Sequence, residues 1–132
     1  MPEVDLPQNV FPQLRMTDWD RTRKFYVDGL GFTVDWEHRF EPQLPVFAQL
    51  TRDGRSLFLS GHRGDGEVGG AAYFFVPDVD AWYRDFTARG VRPDEPPQDA
   101  QYQVREITVI DPDGNRLRFG TRLTESSSGH GA

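Results

Sequence analysis

The sequence predicts an α+β protein built from two tandem βαβββ modules. The chain repeats itself, because DWDRTRKFYVDGLGF begins at Asp18 and DVDAWYRDFTARGV begins at Asp78, sixty residues later. The first of these helix-like segments is preceded by one strand-like stretch and followed by three, and the repeat predicts the same order around the second. The chain has 132 residues and 36% hydrophobic content, which is enough to bury a core in a single domain.

Two helices are expected, one in each module. Each segment opens with Asp-x-Asp, so that Asp18 and Asp78 are suitable N-caps with a further acid in the first turn. The second segment spaces its large apolar residues at i, i+3, i+4 and i+7, which marks one buried helix face. The first segment nearly repeats this spacing. The residues of these two faces are Val79, Trp82, Tyr83 and Phe86, and Thr22, Phe25, Tyr26 and Leu30.

The strand-like stretches are joined by recognisable turns. VFPQLRM and AAYFFV precede the two helices; TVDWEHRF, VFAQLTR and SLFLS follow the first, and YQVREITVI and NRLRFG follow the second. In DPDG, residues 111–114, proline presets the backbone of a turn that glycine closes. We expect one domain over residues 1–132, with a first module at about 9–60, a glycine-rich link at 61–70, a second module at about 71–120 and a flexible tail at 124–132.

Composition excludes several classes of function. There is no cysteine, which removes disulfides, thiolate catalysis and cysteine-based metal sites. A net charge of −6 disfavours a nucleic-acid partner and suits a cationic ligand. The N-terminal stretch has no basic and apolar leader pattern, and no apolar run is long enough for a membrane span. We therefore expect a cytoplasmic protein without a membrane partner.

Particular motifs carry a resemblance to a known family. The paired βαβββ modules have FYVDGLGF after the first helix and DPDGNRLRF near the end. In these features the chain resembles the vicinal oxygen chelate superfamily of glyoxalases, dioxygenases and bleomycin resistance proteins. Three further segments are similar to the bleomycin resistance branch of this superfamily: WEHRFEP, LFLSGHRGDG and REITVIDPDGNRLRF. The resemblance covers roughly residues 9–120. It implies the glyoxalase/bleomycin resistance fold, in which a curled mixed sheet forms a cup that holds the ligand, and a homodimer with clefts shared between subunits.

The resemblance also implies where a metal ion would bind. Chelating members of the superfamily hold a divalent ion through His, Glu or Gln on the first and last strands of each module. In this chain the corresponding positions are predicted to be Phe11, Phe58, Ala72 and Arg118. The first three cannot ligate a metal, and the arginine repels a cation. We therefore expect no metal and no other cofactor.

Arg118 at a former ligand position has two possible roles. If 111–115 forms the hairpin loop, Arg118 lies opposite Thr108 and diagonal to Glu106, within reach of a long side chain. In one interpretation Arg118 and Glu106 form an ion pair within the chain. In the other, the guanidinium donates hydrogen bonds to a carbonyl or carboxylate of the ligand. The sequence leaves both open.

The predicted ligand site is mainly aromatic. Phe58 and Phe74 are expected to point into the cup, and Tyr102 lies just before the last hairpin. For Trp36 and Phe40, a place in the cup and a place in the core are equally compatible with the sequence. The aromatic residues of the helices are assigned to the core. The predicted ligand-binding residues are Trp36, His38, Phe40, Phe47, Gln49, Phe58, Ser60, Phe74, Tyr102, Glu106, Thr108 and Arg118.

The function that these predictions favour is binding without catalysis. No Ser–His–Asp or paired-carboxylate arrangement is indicated. We expect a metal-free protein that sequesters a bleomycin-type or other planar antibiotic and so confers resistance. One alternative is a glyoxalase-like lyase, a dioxygenase or an isomerase with a degenerate site. The other is a small-molecule binder unrelated to resistance.

Overall fold

The computed structural model describes residues 8–123, which form two four-stranded mixed sheets. In the first sheet the strands are β1 (Gln13–Arg15), β2 (Thr33–His38), β3 (Phe47–Arg52) and β4 (Arg55–Ser60), in the order β1-β4-β3-β2. In the second they are β5 (Ala71–Phe75), β6 (Gln98–Ala100), β7 (Val104–Ile110) and β8 (Arg116–Arg122), in the order β5-β8-β7-β6. The predicted tail at 124–132 lies outside the described residues.

Both sheets have the same topology. The first strand of each sheet runs parallel to the fourth, and every other neighbouring pair is antiparallel. A parallel pair needs a crossover connection, and in each module the helix after the first strand is part of that crossover. This is the βαβββ order that the sequence repeat predicts, so the predicted fold class is confirmed.

The helices begin at the predicted caps. Helix α1 (Trp19–Lys24) follows Asp18, whose side chain accepts a hydrogen bond from the amide of Arg21, and continues into a π-helical turn at Phe25–Gly29. Helix α2 (Val79–Ala88) follows Asp78, which accepts from the amide of Ala81. The glycine-rich link contains a short 3-10 turn, Arg63–Asp65, where the sequence indicates no element. Within residues 8–123, no helix is both long and apolar enough to cross a membrane.

One hydrophobic core joins the two modules. Strand residues such as Leu57 and Leu59 lie on the buried side of their sheet, and the helix residues Trp82 and Phe86 pack into the same cluster. Trp82 stacks on Phe119 of β8 with ring centroids 5.5 Å apart. The core is therefore built from one face of each sheet and from the helices, which leaves the other face of each sheet free of this packing.

The hairpin loop 111–115 connects the modules through hydrogen bonds. Asp111 is buried, and its carboxylate accepts from the amides of Asp113 and Asn115 and from the hydroxyl of Tyr26 in the first module, the last at 2.7 Å. The side chain of Asn115 donates to the carbonyl of Arg15. The loop motif thus supplies buried polar groups that bind the first module to the second.

Candidate functional site

The open face of each sheet, meaning the face turned away from the core, carries the candidate site. Side chains alternate along a strand, so on β4 the buried Leu57 and Leu59 leave Phe58 on the open face. On β3, Ala48 and Leu50 are buried, and Phe47 and Gln49 take the opposite face. Phe47, Gln49 and Phe58 therefore lie on the face where the sequence predicts the ligand.

Four rings form an aromatic cluster on the first sheet: Phe11, Trp36, Phe47 and Phe58. Phe58 is central, with ring centroids 5.1 Å from Phe11, 5.1 Å from Phe47 and 6.0 Å from Trp36. Trp36 is 41% exposed, so the ring lies on the open face and not in the core. Rings at these separations, tilted by 35° to 44° to one another, provide an apolar surface on which a planar molecule can stack against a single ring.

The predicted residues around this cluster occupy its margin. His38 pairs with Phe47 in the strand register and meets Phe40 edge to face, with ring centroids 4.4 Å apart. Phe40 is 62% exposed and also contacts His62, which places it outside the core. The amide of Gln49 donates to Asp35 at 2.9 Å, so that its orientation is fixed by a neighbouring strand.

On the second sheet, two tyrosines share one carboxylate. Glu106 Oε1 accepts hydrogen bonds from the Tyr73 hydroxyl at 2.6 Å and from the Tyr102 hydroxyl at 2.5 Å. Burial and the hydrogen bond to Glu106 raise the pKa of Tyr73 well above its ordinary value. The hydrogen bond to Glu106 likewise raises the pKa of Tyr102. Both phenols therefore stay protonated donors at neutral pH.

Tyr73 and Gly120 are site residues that sequence reasoning missed. Tyr73 lies on β5, and Glu106 lies two strands away on β7, so the ring must cross β8. A Cβ atom at position 120 would be 2.7 Å from Val104 Cγ1 and closer still to the Tyr73 hydroxyl. The glycine therefore leaves the space through which Tyr73 reaches Glu106. A glycine within the strand pattern was the available signal.

Arg118 lies beside these groups but does not pair with Glu106. It faces Tyr73 on one neighbouring strand and Thr108 on the other. Among residues 8–123, no hydrogen bond or ion pair joins Arg118 to Glu106, and the buried Nε atom of Arg118 has no hydrogen-bond partner. The interpretation in which Arg118 and Glu106 form an ion pair is therefore wrong. Two tyrosine hydroxyls take the place of the guanidinium.

The predicted orientation of Phe74 is wrong. Phe74 is only 5% exposed and stacks on Phe119 at 5.5 Å, within the core. Ala72, expected at a former metal-ligand position, pairs with Leu117 and packs on the same side. The predicted register for β5 is shifted by one residue, which exchanges the two faces of the strand. Its open face carries Ala71, Tyr73 and Phe75 instead.

Ser60 is also unavailable to a ligand. It is completely buried, and its hydroxyl donates to Asp65 at 2.6 Å while accepting from the amide of His62. The alternation of β4 does place Ser60 on the same face as Phe58. The 3-10 turn in the link then folds over it, and this cover could not be inferred from a glycine-rich stretch.

The residues on the open faces do not fit a divalent metal ion. With the faces of β5 exchanged, the open-face neighbours of Ala72 are Ala71 and Tyr73, and neither these two nor Phe11, Phe58 and Arg118 offer a carboxylate or imidazole ligand. Within the described part of the chain, no three His, Asp or Glu side chains are grouped closely enough to hold an ion. Glu106 lines a small cavity with Asp94 and Glu95, but these three carboxylates are not grouped closely enough to hold an ion, and no imidazole within residues 8–123 lines that cavity.

Two cavities flank Tyr73. The larger, about 670 Å³, has Phe11 and Val10 of the first module on one side and Tyr73 and Phe75 of the second module on the other. The smaller, about 420 Å³, is lined by Ala71, Ala72, Tyr73, Arg116 and Arg118. Their volumes lie in the range of small-molecule sites, which is roughly 300–1,000 Å³.

Fold and site together define a two-module βαβββ protein whose open sheet faces line cavities of small-molecule size. The chain belongs to the glyoxalase superfamily, because the family model described as "Glyoxalase superfamily protein" matches residues 2–126. A comparison with curated protein sequences found no significant match.

Solved structures with the same fold include antibiotic-binding proteins. A bleomycin resistance determinant encoded on the transposon Tn5 superposes with a TM-score of 0.73 at 21% identity, over 89% of this chain and 99% of that one. A bleomycin-binding protein in complex with bleomycin gives 0.71 at 22% identity, over 87% and 98%. TnmS3, an antibiotic-binding protein from Streptomyces sp. CB03234, gives 0.67 at 21% identity, over 89% and 99%.

Proposed function

We propose that this chain is a metal-free binding protein that sequesters a planar antibiotic or a similar drug-like molecule and leaves it chemically unchanged. The observation that carries the proposal is the aromatic cluster around Phe58, with its partly exposed Trp36, on the open face of the first sheet. Rings at this spacing favour stacking of a flat ligand, on the order of 1 kcal/mol for each contact.

Comparison with the fold neighbours supports binding over catalysis. Three solved proteins with this fold are described as a bleomycin resistance determinant, a bleomycin-binding protein and an antibiotic-binding protein. In this chain, the positions at which a chelating relative would hold its ion are taken by aromatic, aliphatic and guanidinium groups. A site of this chemistry can enclose and orient a ligand, and it lacks the ligand set that metal-assisted chemistry needs.

We also propose that the chain acts as a homodimer with clefts shared between subunits. Large apolar side chains are exposed on both open faces, including Trp36 on the first sheet and Phe75 and Tyr102 on the second, the last 57% exposed. Exposed aromatic surface of this kind favours burial against another protein surface. A second copy could place the open face of its second sheet over the aromatic cluster of the first.

A ligand screen followed by one substitution tests the proposed function. Metal-free bleomycin, copper-bleomycin and the intercalating antibiotic daunorubicin are added separately, and thermal unfolding is measured. At 100 times its Kd, a ligand that binds only the native state stabilises it by about 2.7 kcal/mol. Phe58→Ala is then expected to weaken binding of the stabilising compound by roughly 1–3 kcal/mol in calorimetry, through loss of stacking.

The control for this experiment is Tyr83→Ala, which removes an aromatic ring that packs against the core from helix α2. We expect Tyr83→Ala to lower the free energy of unfolding and to leave the Kd for the stabilising compound unchanged. If Phe58→Ala and Trp36→Ala both bind as tightly as the unaltered chain, the aromatic cluster is not the binding site and the proposal is wrong.

A further inference from the structure

A row of arginines follows the open face of strand β8. Arg116, Arg118 and Arg122 alternate with Leu117 and Phe119, which are buried in the core, so the three guanidinium groups share the side on which Tyr73 lies. The chain as a whole is acidic, with a net charge of −6. A local concentration of positive charge in such a chain needs its own explanation.

These arginines are not neutralised within the chain. Among residues 8–123, neither ion pairs nor side-chain hydrogen bonds involve Arg116, Arg118 or Arg122, whereas Arg52 and Arg105 each contact two carboxylates. Arg122 lies over the Phe75 ring at 4.0 Å. The Nε atom of Arg118 is buried without a hydrogen-bond partner. Burying part of a guanidinium without a partner is costly, which indicates that its partner comes from outside the chain.

The acid that the sequence predicts as the partner of Arg118 does not satisfy this need. Glu106 is held by the hydroxyls of Tyr73 and Tyr102. The residues opposite Arg118 and Arg116 on β7 are Thr108 and Ile110, which carry no charge. Asp94 and Glu95 line, together with Glu106, a different and smaller cavity of about 210 Å³, and none of the three arginines is among its lining residues.

The smaller of the two cavities that flank Tyr73 combines positive charge with small and aromatic walls, the two features that an acidic aromatic molecule requires. It is about 420 Å³, and the charged side chains among its lining residues are Arg116 and Arg118. The remaining lining residues, Ala71, Ala72 and Tyr73, are small or aromatic. Guanidinium groups bind carboxylates through charge-assisted hydrogen bonds, often two at once.

We propose that the ligand of this protein is a planar aromatic molecule bearing a carboxylate, and that Arg118, assisted by Arg116, binds the carboxylate in this cavity. This inference rests on the proposed function, since it assigns the chemical class of the sequestered molecule. It replaces the expectation, drawn from net charge alone, that an acidic protein suits a cationic ligand. The local arginine row outweighs the overall charge because screening limits distant charges to a range of about 10 Å.

A matched pair of probes tests the assignment by calorimetry. 2-Naphthoate and 2-naphthamide share one ring system and differ in whether the substituent is an anion. We expect the unaltered chain to bind the naphthoate at least roughly 10-fold more tightly, as charge-assisted hydrogen bonds provide. Raising the salt concentration is expected to weaken naphthoate binding and to leave naphthamide binding nearly unchanged.

Arg118→Gln and Arg116→Gln identify the residues responsible. We expect Arg118→Gln to weaken naphthoate binding by roughly 10-fold to 100-fold, Arg116→Gln to weaken it less, and neither to alter naphthamide binding. Arg84→Gln is the control, because it removes the same charge from the exposed surface of helix α2. Thermal unfolding accompanies each titration, and Arg118→Gln is expected to keep or raise the melting temperature, since it removes an unpartnered charge.

The outcomes separate this inference from the proposed function. Equal affinity for the two probes, or an equal loss of both in Arg118→Gln, overturns the carboxylate assignment while binding through the aromatic cluster stands. If neither naphthalene probe nor any of the three antibiotics binds, the proposed function is wrong and this inference is wrong with it. A loss of naphthoate binding in Arg84→Gln equal to that in Arg118→Gln also overturns the assignment, because it shows a general charge effect.

Discussion

At the scale of single residues, the position of the Tyr73 side chain depends on the absence of a side chain at Gly120. The Tyr73 ring passes over β8 at the one position where that strand has no side chain, and its hydroxyl reaches Glu106. The same ring lies on the wall of both cavities. The position of a glycine therefore decides where an aromatic wall of the candidate site stands.

Gly120→Ala tests this dependence. The added methyl group overlaps the Tyr73 hydroxyl and lies 2.7 Å from Val104 Cγ1, so we expect a loss of about 1–3 kcal/mol in the free energy of unfolding. In a Tyr73→Ala background the same change is expected to cost less, with a coupling energy of about 1 kcal/mol or more. Urea unfolding of the unaltered chain, the two single variants and the double variant measures this coupling energy. Additive effects would contradict the proposed contact.

At the scale of elements, the hairpin loop 111–115 and helix α1 are held together by a buried acid. Tyr26, in the π-helical turn that ends α1, donates to Asp111 at 2.7 Å, and Asn115 donates to the same carboxylate. Burial and the charge of Asp111 raise the pKa of Tyr26 well above 10.0. This contact joins the first module to a turn of the second, and its strength depends on a neutral phenol.

Tyr26→Phe is expected to lower the free energy of unfolding at pH 7 by about 1.5–3 kcal/mol, because a buried hydrogen bond to a carboxylate is lost. In the unaltered chain the contribution of the neutral phenol is complete below pH 10 and declines as the pH rises through 10 towards the higher pKa of the folded state. Between about pH 9 and 11, the free energy of unfolding of Tyr26→Phe is therefore expected to fall less than that of the unaltered chain.

Urea unfolding at several pH values provides the measurement for Tyr26. Tyr83→Phe is the matched control, because Tyr83 is a partly buried tyrosine on α2 with no hydrogen bond to a carboxylate within residues 8–123. Parallel stability curves for Tyr26→Phe and the unaltered chain above pH 9 would show that the ionisation of Tyr26 is not coupled to folding.

At the scale of the whole molecule, the two modules pack through one side of each sheet and leave two open faces. Arg52 of the first module contacts Asp85 of helix α2 at 2.9 Å and lies over the Trp82 ring, so that charged as well as apolar contacts join the modules. On the open faces, by contrast, aromatic side chains remain exposed. This distribution underlies the proposal of a second copy.

A dimer is expected at micromolar concentration, and its apparent melting temperature is expected to rise with protein concentration. Analytical ultracentrifugation measures the mass, and Trp36→Glu, which places a charge on an exposed aromatic face, is expected to shift the chain towards the monomer. Arg84→Glu serves as the control on the surface of helix α2. A monomer that binds its ligand with full affinity would contradict shared clefts.

Local patterns in the sequence were sufficient to predict the architecture. The sixty-residue repeat predicts the βαβββ order, the Asp-x-Asp pairs predict the helix starts, and DPDG predicts the last hairpin, because each is a local pattern with a direct backbone consequence. The sequence also predicted Phe58 in the cup, which agrees with its place on the open face of β4, whereas for Trp36 it left a place in the cup and a place in the core open.

The orientation of β5 and the hydrogen-bond partners of the neighbouring side chains could not be predicted from local patterns, because they depend on packing in three dimensions. AAYFF is apolar throughout, so nothing in it distinguishes the core face from the open face, and the choice of Phe74 over Tyr73 follows from packing against Phe119. The cover over Ser60 comes from Asp65 in a glycine-rich stretch with no regular pattern, and one of the two tyrosines that hold Glu106, Tyr73, lies 33 residues away in sequence. A local pattern does not show which distant side chain will bind a given carboxylate. Glu106 is bound by tyrosine hydroxyls, and the predicted ion pair between Glu106 and Arg118 is therefore absent.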